Sequence, residues 1–413
     1  MSLENVKNEQ GINGQGLADI SREAEAPEKS GSNGSPFELL LQPQKDFEED
    51  PVQINEKGER LPANVEKIQE MDQRIEKLSQ LFNKMEGVRW ILDGAMNISL
   101  ERGEYIGYHK DNDVSVDKED LAQLEEQLYE NGYGLFLSER KPGTNDERKR
   151  VMRRVGHRYF DNPEGHMLIA PIDKEGRIPE NQELNYIDVH LIKRNEKGEP
   201  ITTSGAVMPE EWVKPQPLEY KGNRINLSHP ARVIYYKLQT QNNAPADGKY
   251  KRGYDKTDVD RLLEAGVVSL QDIDELEKVY IDNENQVYRE RVREIIERIA
   301  RGITPNINSE QLFEIFMQDP EIAATAEWKK QVGDKEDLEI FNKKIKSLAE
   351  IIAGLKDKSA EAMVDKAMEV SKADLQEQAE RKHKQIIEIR QKVQEAQDVR
   401  KLKQARERLN IIT

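Results

Sequence analysis

The sequence contains no cysteine among its 413 residues. Disulfide bonds, thiolate metal sites and cysteine nucleophiles are therefore excluded. It also lacks any apolar run near the ~20 residues needed to cross a bilayer. Its first residues, MSLENVKNEQGING, do not combine a basic segment with an apolar one, as a secretory signal does. We therefore expect a cytoplasmic protein with no membrane partner.

Positive charge is scarce relative to negative charge. The chain has 63 Lys and Arg against 79 Asp and Glu, a formal net charge of −16, which argues against general nucleic-acid binding through the overall field. Residues 140–158 reverse this balance, with eight basic residues against two acidic ones, Asp146 and Glu147. Two interpretations stay open: contact with a polyanion such as RNA, or an exposed helix whose charges are only solvated.

Composition and periodicity divide the chain into four parts. Residues 1–62 are rich in Gly, Ser, Asn and Glu, which predicts a disordered tail. Residues 63–86 place apolar side chains at three- and four-residue steps, which predicts a helix leading into the core. In residues 87–270, short strand patterns are followed by two helices. Residues 271–413 are helical, end in a long charged helix, and are a candidate surface for a protein partner.

The stretch from Tyr108 to Asp120, YHKDNDVSVDKED, is rich in carboxylates. A calcium loop of the EF-hand type fails at its two most demanding positions, because Val116 stands where glycine is needed and Ala122 cannot be a ligand. Valines alternating with Ser115 instead predict a strand. In an extended chain Asp111 and Asp113 share a face, where a divalent cation such as Mg²⁺ would relieve their repulsion. The alternative is a solvated turn before the strand.

Two neighbouring features favour the metal interpretation. Upstream, WILDGA is an apolar segment that ends at Gly94 and leads into a helix, whose start offers free backbone N–H groups to an anion. Downstream, NYIDVHLI places Asp188 in an otherwise apolar strand, where burying a charge is costly unless it is paired or binds a metal.

The order of these motifs resembles the DNA polymerase β-like nucleotidyltransferase superfamily, and most closely its branch of aminoglycoside and lincosamide adenylyltransferases. The resemblance covers roughly residues 88–268. It implies an α+β fold, a mixed β-sheet with flanking helices, followed here by the largely α-helical C-terminal region. Within it, PLEYKGNRINLSHPARVIYYKLQTQ is similar to the hairpin and following helix of the family, and YDKTDVDRLLEAG to its closing helix.

The resemblance also implies site residues. Asp111 and Asp113 match the metal-binding pair, and Asp188 matches the third carboxylate, so all three are the predicted catalytic and metal-binding residues. Gly94 and Ala95 match the nucleotide-binding turn. Lys237 matches a recurring lysine that either contacts a phosphate or is a solvated helix residue. The two aspartates of the closing helix are Asp255 and Asp258. The implied cofactor is Mg²⁺, with Mn²⁺ as the alternative ion.

Departures from the pattern leave two functions open. Ala95 replaces the second Gly or Ser, which removes a hydroxyl that would contact phosphates, and the basic insert is longer than in transferases of small molecules. The first interpretation is a metal-dependent enzyme that moves a nucleoside monophosphate from a nucleoside triphosphate to a hydroxyl of a small molecule, an RNA or a protein. The second is an inactive transferase fold that acts as a scaffold and binds proteins through its C-terminal helices.

Overall fold

The computed structural model describes residues 43–48, 54–56, 59–141, 149–155, 166–179, 187–243, 253–304, 306–331 and 335–412. The strands are β1 (Pro43–Glu48), β2 (Trp90–Leu92), β3 (Asn112–Asp117), β4 (Tyr133–Arg140), β5 (Lys149–Arg154), β6 (His166–Pro171), β7 (Ile187–Arg194), β8 (Pro200–Ile201), β9 (Gln216–Tyr220) and β10 (Asn223–Leu227).

Helices follow β1, β2, β3 and β10, and they predominate after β10. They are α1 (Val65–Phe82), α2 (Gly94–Arg102), α3 (Leu121–Glu130), α4 (Pro230–Asn243), α5 (Gly253–Ala265), α6 (Leu270–Glu277), α7 (Glu284–Ala300), α8 (Ser309–Gln318), α9 (Pro320–Gln331), α10 (Lys335–Ala353) and α11 (Ala360–Ile412). Short 3₁₀ turns cover Lys118–Asp120 and Glu210–Trp212, and a π-helical turn covers Lys278–Asn283.

The main sheet is mixed, with the strand order β1-β5-β4-β6-β7-β3-β2-β10-β9. β3 pairs parallel with β7, and β10 pairs parallel with β2, while the other neighbours on this path are antiparallel. The predicted hairpin between β9 and β10 is present. Its turn residues Lys221 and Gly222 have φ of 49° and 78°, and two left-handed residues suit the twist of a tight hairpin.

The core of this sheet forms against α1 and α3. Asn64 caps α1 by accepting a hydrogen bond from the Lys67 backbone, which satisfies one of the free donors of its first turn. Met71, Ile75 and Leu78, at the predicted helical spacing, are completely buried in the same cluster as the strand residues. Burial of such side chains contributes roughly 1.5–3 kcal/mol each, so the helix predicted for 63–86 is part of the core.

The chain divides into two compact units. One contains the sheet, and it comprises the described residues up to Pro200, Met208–Asp272 and the residues from Lys392. The other contains Ile201–Val207 and Ile273–Gln391, with a separate apolar core that includes Ile295, Phe316 and Met363. In this second unit the buried Glu284 accepts a hydrogen bond of 2.6 Å from Ser204.

The α+β class predicted from the sequence is confirmed, and two details differ. Most of the predicted disordered tail, 1–62, lies outside the described residues, but Pro43–Glu48 within it pair with β5 as an edge strand. The basic segment does not form a helix where it is described, because Lys149–Arg154 is a strand between β1 and β4. The terminal helix α11 runs unbroken for 53 residues. Among the described residues, no helix is both long and apolar enough to cross a membrane.

Candidate active site

Two of the predicted metal-binding carboxylates lie side by side on the sheet. β3 and β7 run parallel, and Asp113 and Asp188 are direct partners in their register. Side chains at paired positions project to the same face of a sheet. Asp188 is buried, whereas the Asp113 side chain is 31% exposed. The sequence prediction that these two residues converge is therefore consistent with the strand pairing.

Asp111 is placed differently from the prediction. β3 begins at Asn112, and Asp111 lies in a bend just before it, half-buried. The alternation expected from Asp111 onward therefore starts one residue later. Within the described part of the chain, no three His, Asp or Glu side chains are already arranged as a set of metal ligands. The role of Asp111 as a ligand stays a prediction.

The turn at Gly94 is packed directly against Asp113. Gly94 opens α2 with a φ of 65°, and a Cβ atom built on it would lie 1.8 Å from Asp113 Oδ2. Only glycine tolerates both this backbone conformation and this approach. Ala95 follows it, buried in the first turn of α2. The predicted nucleotide-binding turn and the predicted metal-binding aspartate are therefore neighbours.

Replacement of Gly94 by alanine should cost both stability and any activity of the site. The new methyl group would push the Asp113 carboxylate away, and alanine at a positive φ adds about 1–2 kcal/mol of backbone strain. We expect a measurable fall in the melting temperature together with a loss of nucleotide binding, measured by thermal unfolding and by titration. Gly103→Ala is a matched control, because Gly103 also has a positive φ of 73°, but a Cβ atom added to it would meet no atom within 4 Å. Equal nucleotide affinity in the two variants would contradict the assigned contact.

Asp93, which the sequence interpretation passed over, ties this turn to β3 and to α4. Its backbone N–H donates to the Asp113 carbonyl oxygen over 2.8 Å. Its Oδ2 accepts hydrogen bonds from Ser115 Oγ and from Arg232 Nη1, and Arg232 Nη2 donates to Ser115 Oγ over 2.9 Å. Asp93, Ser115 and Arg232 are all buried. Of the WILDGA motif, the sequence predicted only Gly94 and Ala95 as site residues.

His190 lies next to the carboxylate pair. It follows Asp188 by two positions on β7, and its Nε2 is 3.4 Å from Asp113 Oδ1. Desolvation lowers the pKa of His190, but the hydrogen bond to Asp113 and the charges of Asp113, Asp188 and Asp93 outweigh it and raise the pKa to about 9. The pKa of this imidazole therefore reflects how acidic the edge between β3 and β7 is.

Lys237 is neither solvated nor open to a ligand in this structure. Its Nζ donates to Asp255 Oδ1 over 2.9 Å and to Asp258 Oδ2 over 2.7 Å, and its side chain is 10% exposed. The solvated alternative is therefore wrong. Asp255 and Asp258, the matched aspartates of the closing helix, are its partners on α5. A role for Lys237 in nucleotide binding stays a prediction.

Arg60 completes this ion-pair cluster, which we define as Arg60, Lys237, Asp255 and Asp258. Arg60 donates from Nε to Asp258 Oδ1 over 3.1 Å and from Nη2 to Oδ2 over 3.2 Å. The sequence around Arg60 does not predict this ion pair, because Asp258 lies 198 positions later in the chain. Bidentate pairing of this kind is characteristic of arginine.

His109 is influenced by both the ion-pair cluster and the site. It is buried, and burial is the main cause that lowers its pKa to about 3, with Arg60 and Lys237 lowering it further against the opposing charges of Asp258 and Asp113. The imidazole is therefore neutral over the physiological range. Charges from the cluster and from Asp113 act on one side chain, so both belong to the same part of the fold.

The basic segment 140–158 is only partly described. Residues 142–148 and 156–158 lie outside the described residues. Arg150 donates to Ser138 Oγ over 3.0 Å and to the Ser138 carbonyl over 2.8 Å, and the buried Arg154 donates to the Gly176 carbonyl over 3.2 Å. Lys141 also forms an ion pair with Asp46. At least three of the eight basic residues thus have internal partners, and contact of the segment with RNA stays a prediction.

No protein-family model matches the sequence, and no curated protein does. Similar solved structures include a lincosamide antibiotic adenylyltransferase, LnuA, bound to lincomycin, with 15% identity, 49% of this chain and 98% of that chain covered, and a TM-score of 0.26. Another is ANT(2'')-Ia in complex with adenylyl-2''-tobramycin, with 11% identity, coverage of 55% and 99%, and a TM-score of 0.30.

An antigenic nucleotidyltransferase-like protein from Paracoccidioides brasiliensis is similar as well, with 12% identity, coverage of 68% of this chain and 95% of that chain, and a TM-score of 0.30. Because identities and TM-scores are this low, we base the functional argument on the residues of this chain.

Proposed function

We propose that the protein is a metal-dependent nucleotidyltransferase, which moves a nucleoside monophosphate from a nucleoside triphosphate to a hydroxyl acceptor. The observation that carries this proposal is the parallel register of Asp113 and Asp188, with Gly94 packed against Asp113. A scaffold has no need to bring two carboxylates together on neighbouring strands, because their repulsion destabilises the fold. A divalent cation bound by the two carboxylates would relieve their repulsion and would bind a nucleotide phosphate.

The donor atoms fit Mg²⁺, or Mn²⁺, better than a softer metal, because they are carboxylate oxygens without a thiolate. Asp111, Asp113 and Asp188 are the residues that would hold the ion. When bound, such an ion neutralises charge that develops on the transferring phosphate. The backbone N–H groups at the start of α2 would bind the outer phosphates of the nucleotide.

Asp188 has a second role open to it in this chemistry. The acceptor oxygen forms a bond to the α-phosphorus, and the bond from that phosphorus to the bridging oxygen breaks, which releases pyrophosphate. The hydroxyl proton passes to the Asp188 carboxylate as general base. Asp188 is buried on β7 and is the register partner of Asp113 on β3.

Metal-dependent nucleotide binding is the first test. We expect the melting temperature of the protein to rise with at least one of ATP, CTP, GTP and UTP when Mg²⁺ is present, and not with Mg²⁺ omitted. The same nucleotide should give no shift with Asp113→Ala. Absence of a metal-dependent shift with all four nucleotides would contradict the proposal and favour the scaffold alternative, with 271–413 as its protein-binding surface.

The acceptor is sought with the preferred nucleotide labelled on its α-phosphate. Incubation with total RNA, with cell protein and with small hydroxyl compounds, each in a separate reaction, should transfer label to one class. Label on RNA that disappears when Lys149 and Arg153 are replaced by glutamine would support the contact through 140–158. Label on protein would instead support a partner protein as acceptor.

A further inference from the structure

Asp93 occupies the N-cap position of α2 without capping it. An aspartate there ordinarily accepts a hydrogen bond from the second or third backbone N–H of the helix. The Asp93 side chain makes no such bond within the described part of the chain. Its carboxylate is instead bound to Ser115 and Arg232. The donors that a capping aspartate would occupy are therefore left to another acceptor.

The free donors lie where the proposed phosphate site begins. The backbone N–H groups of Gly94, Ala95 and Met96 belong to the first helical turn, which has no preceding turn to supply acceptors. The partial positive charge of a helix N-terminus adds to their attraction for an anion. The Asp93 backbone also donates to the Asp113 carbonyl, so this turn is fixed relative to β3.

The Asp93 charge would nevertheless oppose a bound phosphate. Asp93 is 8% exposed, and its Oδ1 accepts no hydrogen bond from any residue that the structure describes. Arg232, 2% exposed, is the cation that binds the other oxygen, and its guanidinium carbon lies 4.9 Å from the centre of the Tyr236 ring. A buried arginine fixed on both sides is well suited to hold one carboxylate in one orientation.

We propose that Arg232 is a positioning residue of the nucleotide site. It holds the Asp93 carboxylate away from the first turn of α2 and cancels its charge, so that the N–H groups of that turn bind the β- and γ-phosphates of the nucleotide. This inference rests on the proposed nucleotidyl transfer and adds to it the residue that keeps the phosphate subsite open. Ser115 shares the carboxylate but carries no charge to cancel it.

A charge-removal cycle tests the inference with inorganic tripolyphosphate and the preferred nucleoside triphosphate as probes. Arg232→Met leaves Asp93 charged and free to cap α2, so the affinity for both probes should fall by roughly tenfold or more. The double variant Asp93→Asn, Arg232→Met removes the charge as well, and should recover affinity to within about threefold of the original protein.

The corresponding nucleoside, which lacks phosphate, serves as a third probe, and its affinity should be the same for all these variants. Arg224→Met, at an exposed arginine of β10, is the matched control.

A purely structural role for Arg232 predicts a different pattern. Binding of phosphate and nucleoside would then fall together, and the double variant would not recover. Either result overturns the inference, as does an unchanged affinity in a folded Arg232→Met protein. If Arg232→Met does not fold, Asp93→Asn alone should bind tripolyphosphate at least as tightly as the original protein, and weaker binding overturns the inference. If the original protein binds no nucleotide, the proposed function is overturned as well. If the original protein transfers nucleotide and Arg232→Met leaves the affinity for both probes unchanged, only this inference is overturned.

Discussion

Asp113→Asn should reduce nucleotidyl transfer by about a thousandfold, because it removes a carboxylate whose proposed interaction with a metal ion would be worth several kcal/mol in the transition state. The amide keeps the size of the side chain and can still bond to His190. Asp113 is partly exposed, so the change should leave the folded state intact. The measurement is pyrophosphate release with Mg²⁺ and the preferred nucleotide, alongside the melting temperature.

Glu119→Gln is the matched control for this variant. Glu119 belongs to the same carboxylate-rich stretch, but it is exposed and lies beyond the end of β3. The same change from carboxylate to amide there should leave the rate within about twofold, since exposed charges at a distance are screened. Comparable rates for Asp113→Asn and Glu119→Gln would remove Asp113 from the proposed site.

Asp258→Ala should destabilise the fold by about 3–5 kcal/mol, the cost of leaving buried partners of an ion pair uncompensated. The Arg60 side chain is 8% exposed and that of Lys237 is 10% exposed, and both donate to Asp258. Asp255 would remain as the partner of Lys237, and Arg60 would lose its bidentate acceptor. Urea unfolding followed by circular dichroism measures the difference in free energy.

The control for this second variant lies on the same helix. Asp260 pairs with Lys392, and the two side chains are 34% and 40% exposed. Asp260→Ala should cost only about 0–1 kcal/mol, the usual range for a surface ion pair. A destabilisation of equal size at positions 258 and 260 would show that helix α5 tolerates the loss of a buried aspartate as easily as that of a surface one.

Local sequence pattern predicts those parts of the site that depend on the residues of one strand or turn alone. Val114 and Val116 alternate with polar residues, and that was enough to place β3. A single acid among apolar neighbours was enough to single out Asp188, which the structure buries. The turn at Gly94 was recognisable because a glycine separates an apolar strand from a helix.

Other features depend on partners that are remote in sequence. Arg60 lies in a segment predicted to be a disordered tail, and only the fold brings it to Asp258. Asp93 has the residue type and the position of a helix cap, but its carboxylate binds Arg232 and Ser115, which are 139 and 22 positions away in the chain. The charged run that contains Lys149–Arg154 resembles a solvated helix in composition. Pairing with strands on both sides makes it part of the sheet.

The parallel pairing of β3 with β7 has a consequence for the order in which the molecule acquires its chemistry. His190 and Asp113, whose side chains make contact across that pair, are 77 positions apart in the chain. Bringing the ends of such a segment together costs chain entropy before the contacts between them can stabilise the structure. Sheets rich in non-local pairs fold slowly for this reason. The antiparallel pairs among β4, β5, β6 and β7 join nearer segments. We therefore expect the carboxylates to meet in a late step of folding, after most of the secondary structure has formed.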